Sequence, residues 1–179
     1  MIPVPHIERL AAEDFEPYRP GLIDLLLDAV RHGASVGFLE DLALQEARAY
    51  FDQVLSGLRD GSLLLWVALE QGRVLGSVQL GLCQKRNGLN RAEVQKLLVL
   101  ASARRRGIAR QLLQRLEEAA GELQRGLLYL DTEADSPAEQ FYQALGYRGI
   151  GGLPDYACGP DGQYRANAIY YKTLSRPLP

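Results

Sequence analysis

Apolar residues in the first third of the chain recur with the three- to four-residue period of amphipathic helices. One such segment opens at Pro20 and ends near Gly33, and a second follows Asp41 and ends at Gly61. Proline suits the first turn of a helix and glycine suits its exit, so both segments are predicted to be helices. The predicted apolar faces are Leu22, Leu25, Leu26, Ala29 and Val30 in the first helix, and Ala43, Ala47, Tyr50, Phe51, Val54 and Leu58 in the second.

The middle of the chain changes to short, nearly continuous apolar runs, which are typical of strands. The runs over 62–69 and 73–83 are joined by a Gln-Gly turn, and the polar stretch 84–90 leads into a third run over 92–100. The first pair predicts a hairpin. With the third strand, the segment predicts an antiparallel meander.

A strand-helix-strand unit is predicted next. The segment 107–123 places its apolar residues on one helical face, and the strand-like run 125–132 follows it. A strand, a helix and a second strand in this order imply a parallel crossover, because the chain must return to the same end of the sheet.

The end of the chain predicts one more helix and one more strand. Ser136 is a predicted helix cap, with Pro137 at the first helical position and Glu139 three residues after the cap. The β-branched and aromatic run over 167–174 predicts the last strand. The whole chain, 1–179, is therefore predicted as one α/β domain with a mixed sheet.

Composition narrows the function classes. The chain has 20 basic and 22 acidic residues, a net charge of -2, so it has no general attraction to nucleic acid or to an anionic membrane. No apolar run approaches the roughly 20 residues of a membrane span, and the N-terminus lacks a secretory pattern, so a soluble cytoplasmic protein is expected. Cys83 and Cys158 lack metal-binding spacing, and His6 and His32 stand without companion ligands, so no metal site is expected.

The most informative segment is the strand, loop and helix start around residues 104–110. Unpaired N–H groups at a helix start form an anion site, and small residues such as Gly107 and Ala109 let a ligand approach the backbone. Additional guanidinium donors come from Arg104, Arg105, Arg106 and Arg110. An arginine run alone usually marks a solvated surface. Its place between a strand and a helix favours a site for a ligand with several phosphate charges.

The same segment carries a family resemblance. The pattern R-R-R-G-I-A over 104–109 resembles the Q/R-x-x-G-x-G/A signature of the GNAT superfamily of acyl-CoA N-acyltransferases, and the segment 138–147 resembles a second signature of that superfamily. Within it, the segments 63–70, 87–100, 125–134 and 168–174 are similar to the tabtoxin-resistance acetyltransferases. The resemblance implies a GNAT fold, a mixed, mostly antiparallel sheet splayed near Leu98 with helices on both faces.

The resemblance also implies acetyl-CoA as the co-substrate. The backbone of Leu97, Leu98 and Val99 is expected to pair with the pantetheine arm like an added strand, and the pyrophosphate is expected at the loop and helix start. The implied contacts there are Arg104, Arg105, Arg106, Gly107, Ile108, Ala109 and Arg110. At Asp135 many members have an asparagine that touches the cofactor, and the aspartate departs from that pattern.

Three residues are candidates for catalysis by the same resemblance. Glu93 corresponds to the general base of some members and is expected to act through a water, and Asp131 either shares that water or holds the acceptor's ammonium. Without the family context, both carboxylates are simply charged strand ends. Tyr142 corresponds to the tyrosine that faces the coenzyme A thiol, although a half-buried aromatic is its ordinary alternative; Phe141 is predicted to be core.

The expected acceptor is a small molecule related to an amino acid, which includes antibiotic-like toxins. The first two helices and the loop 33–38 are expected to enclose it. The alternatives are acetylation of a protein N-terminus or lysine, and a module that binds acyl-CoA without turnover. A nucleic-acid binder is disfavoured by the net acidity. The habit of the family suggests a homodimer.

Overall fold

A twisted seven-stranded sheet forms the centre of the protein in the computed structural model, which describes residues 5–174; the remaining residues of the predicted domain, 1–4 and 175–179, lie outside this description. Its strands are β1 (His6–Leu10), β2 (Leu63–Glu70), β3 (Arg73–Leu82), β4 (Arg91–Val99), β5 (Leu127–Glu133), β6 (Arg148–Gly149) and β9 (Asn167–Thr173). The spatial order is β1-β2-β3-β4-β5-β9-β6. A small separate hairpin joins β7 (Ala157–Cys158) to β8 (Tyr164–Arg165).

The sheet is mixed, as predicted. The strands β2, β3 and β4 form the antiparallel meander, and β4 pairs with β5 in parallel through the helical crossover. The pairs β1·β2, β5·β9 and β6·β9 are antiparallel. The predicted mostly antiparallel GNAT architecture is therefore confirmed.

Helices cover both faces of the sheet. They are α1 (Arg19–Arg31), α2 (Leu44–Asp60), α3 (Ile108–Glu122) and α4 (Pro137–Ala144). The hydroxyl of Tyr50 on α2 donates to Gln79 on β3, whereas a side chain at Gly76 would meet Ile108 on α3. Gly76 and Gln79 are three positions apart on one strand and so face opposite sides, which places α2 and α3 on opposite faces.

Local sequence chemistry accounts for the helix ends. The Ser136 hydroxyl accepts from the Glu139 amide at 3.4 Å, so the predicted cap of α4 is confirmed. Gly61, with φ +74°, ends α2 in the left-handed conformation that glycine adopts easily. Leu22, Leu25 and Leu26 of the first predicted face are buried, whereas in the second predicted face Leu58 is only partly buried and Ala43, which precedes α2, is exposed.

The parallel pairing of β4 and β5 is short, and this opens the sheet. Only 91–93 pair with 127–129; beyond them β4 continues to Val99 along β3, and β5 continues to Glu133 along β9. The two strands separate after Glu93, which confirms the predicted splay in the part of β4 that contains Leu98.

A β-bulge lies in the separated part of β4. Gln79 is opposite Gln95 and Ser77 is opposite Leu98, so Lys96 and Leu97 together face one residue of β3. Lys96 has φ +47°, an uncommon conformation for a residue with a side chain. A bulge bends the strand and re-aims a side chain, and here it does so at the open edge of β4.

Candidate active site

The start of α3 forms an open cradle. Gly107 precedes the helix with φ +76°, and no side chain caps the first turn, so the first amides of α3 are left for a ligand. A cavity of about 310 Å³ lies over this turn. Its lining consists of Val99, Ala103, Arg104, Arg105, Gly107, Ile108, Ala109, Arg110 and Phe141. Free amides, the positive end of the helix and exposed guanidinium groups together suit a pyrophosphate.

A side chain added at Gly107 would occupy space that a ligand in this cradle needs. A Cβ built there would meet nothing closer than the Gln111 side-chain nitrogen at 3.9 Å, so it would project into the space of the cavity. We expect Gly107→Val to weaken acetyl-CoA binding by at least about tenfold, or about 1.4 kcal/mol, measured by calorimetry.

Gly72 offers a matched control for that variant. It has the same φ of +76° and nothing within 4 Å of a built Cβ, but it lies in the turn between β2 and β3. Both valine variants carry the strain of a left-handed conformation, about 1–2 kcal/mol. Equal acetyl-CoA affinity in the folded Gly107→Val and Gly72→Val proteins would show that the cradle is misplaced.

Two residues predicted to bind the cofactor do not line the cradle cavity. The guanidinium of Arg106 turns to Glu70 at the end of β2 with an N···O distance of 2.6 Å, and Arg106 does not line the cradle cavity. Asp135 lies in the turn before α4 with φ +58°, and its amide donates to the Glu139 carboxylate at 2.7 Å. Its own exposed side chain lines none of the cavities along the splay.

The splay between β4 and β5 continues from the cradle as a groove. A cavity of about 380 Å³ is lined there by Leu97 and Leu98, by the loop after α1 and by the start of α4. The edge of β4 that faces β5 has no strand partner beyond Glu93. Unpaired strand edges bind extended chains through their amides and carbonyls, so the predicted pairing with a pantetheine arm has the backbone it needs.

Tyr142 projects from α4 into this groove. It is 7% exposed, lines the groove cavity, and has its ring 5.5 Å from the rings of both Phe141 and Tyr147. Among residues 5–174, none forms a hydrogen bond with its hydroxyl. Burial raises the pKa of Tyr142 well above its usual value, so the phenol keeps its proton at neutral pH. Phe141 lines the cradle cavity and is not purely a core residue, which corrects the prediction.

A third cavity, of about 280 Å³, adjoins the groove at the far end from the cradle. Its lining comes from the loop after α1, from β4 and β5, and from the hairpin β7–β8: Ser35, Val36, Gly37, Lys96, Asp131, Thr132, Glu133, Tyr156, Ala157, Arg165, Ala166 and Asn167. The residues that it shares with the groove cavity are Ser35, Val36, Lys96, Thr132 and Glu133. The cradle, the groove and this cavity therefore form one continuous path along the splay.

Both predicted carboxylates and the Lys96 ammonium lie at this end. Asp131 is exposed in the cavity, 3.5 Å from the side-chain nitrogen of Asn167. Glu93 is set back on β4, where Gln95 donates to its carboxylate at 2.8 Å. Burial lowers the pKa of Lys96, and the charges of Glu93 and Asp131 oppose that effect. The structure thus brings both predicted carboxylates to the same cationic side chain.

A roof closes one side of the third cavity. The loop after α1 meets the hairpin β7–β8 through two hydrogen bonds, from the Ser35 hydroxyl to the Cys158 carbonyl at 3.4 Å and from the Glu40 amide to the Pro160 carbonyl at 3.0 Å. The loop predicted to enclose the acceptor lies here. The hairpin was not predicted, because two-residue strands among glycines and prolines give no periodic signal.

The family is shown by comparison with known proteins. Residues 22–147 match the model of the acetyltransferase (GNAT) family, which is more than half of the chain. The chain belongs to that family and is an acetyl-CoA-dependent N-acetyltransferase. The open helix start and the three cradle arginines fit the pyrophosphate of acetyl-CoA.

Solved structures share the fold across nearly the whole chain. An N-acetyltransferase from Staphylococcus aureus Mu50 is 24% identical with a TM-score of 0.78, covering 96% of this chain and 99% of its own. A ribosomal-protein-alanine N-acetyltransferase from Brucella melitensis is 23% identical with a TM-score of 0.76, covering 94% and 99%. A protein from Salmonella typhimurium, solved with its cofactor acetyl-CoA, is 16% identical with a TM-score of 0.76, covering 98% and 96%. At these identities, the likenesses show the fold.

The described residues were also compared with the requirements of a metal site and of a membrane-spanning helix. Within residues 5–174, no group of three or more His, Cys, Asp or Glu side chains is placed to hold a metal ion. No helix in the same part of the chain is long and apolar enough to cross a membrane.

Proposed function

We propose that this acetyltransferase acts on the amine of a small molecule. The molecule is held beside Asp131 in the third cavity, called the roofed cavity below. The observation that supports this is the pair of hydrogen bonds between the loop after α1 and the hairpin β7–β8, because they cover one side of the cavity. A cavity of about 280 Å³ lies near the lower end of small-molecule pockets, which are roughly 300–1,000 Å³. By its resemblance to the tabtoxin-resistance acetyltransferases, the acceptor is an amino-acid-like toxin or antibiotic of the tabtoxinine-β-lactam type.

The proposed chemistry needs a deprotonated amine, donors for a developing negative oxygen and an acid for the departing thiolate. The thioester of acetyl-CoA supplies the acetyl group. Asp131 holds the acceptor's ammonium, and Glu93, set back from the cavity, takes its proton through a water. Unpaired amides of β4 beyond Glu93 are the donors for the negative oxygen. Tyr142 gives its proton to the thiolate.

The proposed cofactor contacts divide between backbone and side chains. The backbone of Leu97, Leu98 and Val99 holds the pantetheine arm, and the amides of Ile108 and Ala109 hold the pyrophosphate. Their side chains are free for packing, and that of Ile108 is 1% exposed in the core. Exposed guanidinium groups of Arg104, Arg105 and Arg110 add donors around the phosphates.

A panel of acceptors tests the proposed class. The purified protein is assayed for acetyl-CoA-dependent thiol release with small amines, including amino-acid-like β-lactams, and with peptides that begin with alanine or contain lysine. We expect turnover with small amines and little with peptides, because the roof covers one side of the cavity and restricts the approach of a longer chain. Faster turnover of a peptide would favour the alternative, which the fold likeness to a ribosomal-protein-alanine acetyltransferase keeps in view.

We propose a cytoplasmic location and a homodimer as well. Both cysteines, Cys83 and Cys158, are free thiols, which suits a reducing compartment. Four large apolar side chains are exposed in the segment that contains the hairpin β7–β8, namely Ile150, Leu153, Tyr156 and Tyr164, and exposed apolar area favours an interface. A sedimentation measurement that gives the monomer mass would contradict the dimer.

A further inference from the structure

Lys96 is a partly buried cation that the proposed chemistry leaves without a role. The chain has lysine at only three positions, 85, 96 and 172. Lys85 is exposed, and Lys172 is held by the Glu117 carboxylate at 2.8 Å and the Leu145 carbonyl at 3.0 Å. Of these three lysines, Lys96 lines both the groove and the roofed cavity. It therefore lies where an acceptor and the acetyl group would meet.

No residue in the described part of the chain is a direct anionic partner of the Lys96 ammonium. Among the described residues, none forms an ion pair with it within 4.0 Å, and its contact is with the Tyr50 ring, whose centroid is 5.7 Å from Nζ. Glu93 and Asp131 act on it only from a longer distance. A cation that neutralised Glu93 or Asp131 would be expected to contact one of them. The position of the Lys96 ammonium instead suits an anion that comes from outside the chain.

The other cation of the roofed cavity is already engaged. The Arg165 guanidinium pairs with Asp161 at 2.6 Å and lies 3.6 Å from Glu133. This leaves Lys96 as the unpaired positive group in the described lining of the cavity, with the exposed carboxylate of Asp131 as a negative group. The lining therefore has separate places for a negative and a positive group of one small molecule.

We infer that Lys96 binds an anionic group of the acceptor, a carboxylate or its equivalent, while Asp131 binds the acceptor's ammonium. The inference rests on the proposed function, and it makes Lys96 the residue that selects amines carrying an acidic group over simple amines. The bulge at Lys96 is what makes this possible, because it takes the residue out of regular pairing and directs it to the open edge of β4. A bound anion also offsets the cost of keeping the ammonium away from water.

The first test compares matched acceptors on two proteins. An amino acid and its carboxamide have the same skeleton, and the ratio of their kcat/KM values is measured for the wild type and for Lys96→Met. Comparing ratios between the proteins cancels the different basicity of the two amines and any general loss of activity. We expect the preference for the carboxylate to fall about 10- to 100-fold in Lys96→Met, the effect of one charge-assisted hydrogen bond. Lys96→Arg should retain part of the preference. An unchanged ratio in Lys96→Met would overturn the inference.

The second test measures binding without turnover. Calorimetry in the presence of coenzyme A compares an N-acetylated amino acid with its carboxamide, and thermal unfolding verifies that each variant is folded. We expect only the carboxylate probe to lose affinity in Lys96→Met. Carboxylate binding that depends on Lys96, without turnover of any amine, would contradict the proposed function and support the role of Lys96. Turnover of amines with no preference for a carboxylate would support the proposed function and contradict the role of Lys96.

Discussion

Replacement of Glu93 by glutamine is expected to lower kcat/KM by about 10²- to 10⁴-fold, the usual contribution of a general base. The amide keeps the size of the side chain and removes its ability to accept the amine's proton. Because a smaller fraction of an amine acceptor is unprotonated at lower pH, the loss should be greatest at the acidic end of the range. Asp131→Asn is expected to show the same pH trend, with part of its effect in KM because Asp131 contacts the acceptor.

A control variant for this experiment removes a carboxylate from another part of the sheet. Glu8 on β1 lies at the edge of the sheet away from the splay, and Glu8→Gln should keep the parental pH-rate profile. Each variant is assayed with the best amine of the panel across the pH range, and acetyl-CoA affinity is measured in parallel. If Glu93→Gln and Asp131→Asn both retain the parental rate throughout, neither carboxylate is the base, and an acceptor that binds already deprotonated is indicated.

Tyr142→Phe is expected to lower turnover by about 10²-fold, the lower end for general acid help because a thiolate is a fair leaving group. The change removes one hydroxyl and keeps nearly all of the apolar volume, so the fold and the acetyl-CoA affinity should be nearly unchanged. The raised pKa of Tyr142 means that the phenol is protonated across the neutral range, so the loss should not depend on pH there.

Tyr147 provides a control, because it is a tyrosine whose ring packs against that of Tyr142. Its ring lies 5.5 Å from that of Tyr142, and burial and the nearby Glu117 carboxylate raise the pKa of its hydroxyl. Because Tyr147 has no part in the proposed chemistry, Tyr147→Phe should leave turnover at the parental level, and thermal unfolding verifies that the variant is folded. A stable Tyr142→Phe protein with parental turnover would remove Tyr142 from the mechanism and leave water as the proton donor.

Local signals in the sequence were sufficient for most of the fold. The cap at Ser136, the glycine exit at Gly61 and the apolar face of α1 are each decided by neighbouring residues and lie where predicted, whereas the predicted face of α2 wrongly included Ala43, which precedes the helix. The strand β1 was missed because its short sequence, HIERL, mixes charged and apolar residues. β6 was missed because two residues carry no period.

The site was predictable only where it follows the backbone. A strand end and a helix start place Leu97 to Val99 and Gly107 to Ala109 along the splay whatever their side chains are. The direction of a long side chain depends on distant partners, so nothing in the local sequence separated Arg106, which pairs with Glu70, from its neighbours at the cradle. Lys96 was missed for the related reason that a bulge depends on pairing with β3, which a single strand's pattern does not reveal.

The central claim is that acetyl-CoA lies along the splay between β4 and β5, with its thioester at the roofed cavity. A crystal structure with a non-hydrolysable acetyl-CoA analogue tests this most directly. We expect the pyrophosphate within hydrogen-bond distance of the amides of Ile108 and Ala109. The pantetheine arm should pair with the edge of β4 at Leu97 to Val99, and the acetyl group should lie beside Tyr142 and Lys96. An analogue bound outside the splay, or bound there with its pyrophosphate away from the start of α3, would contradict it.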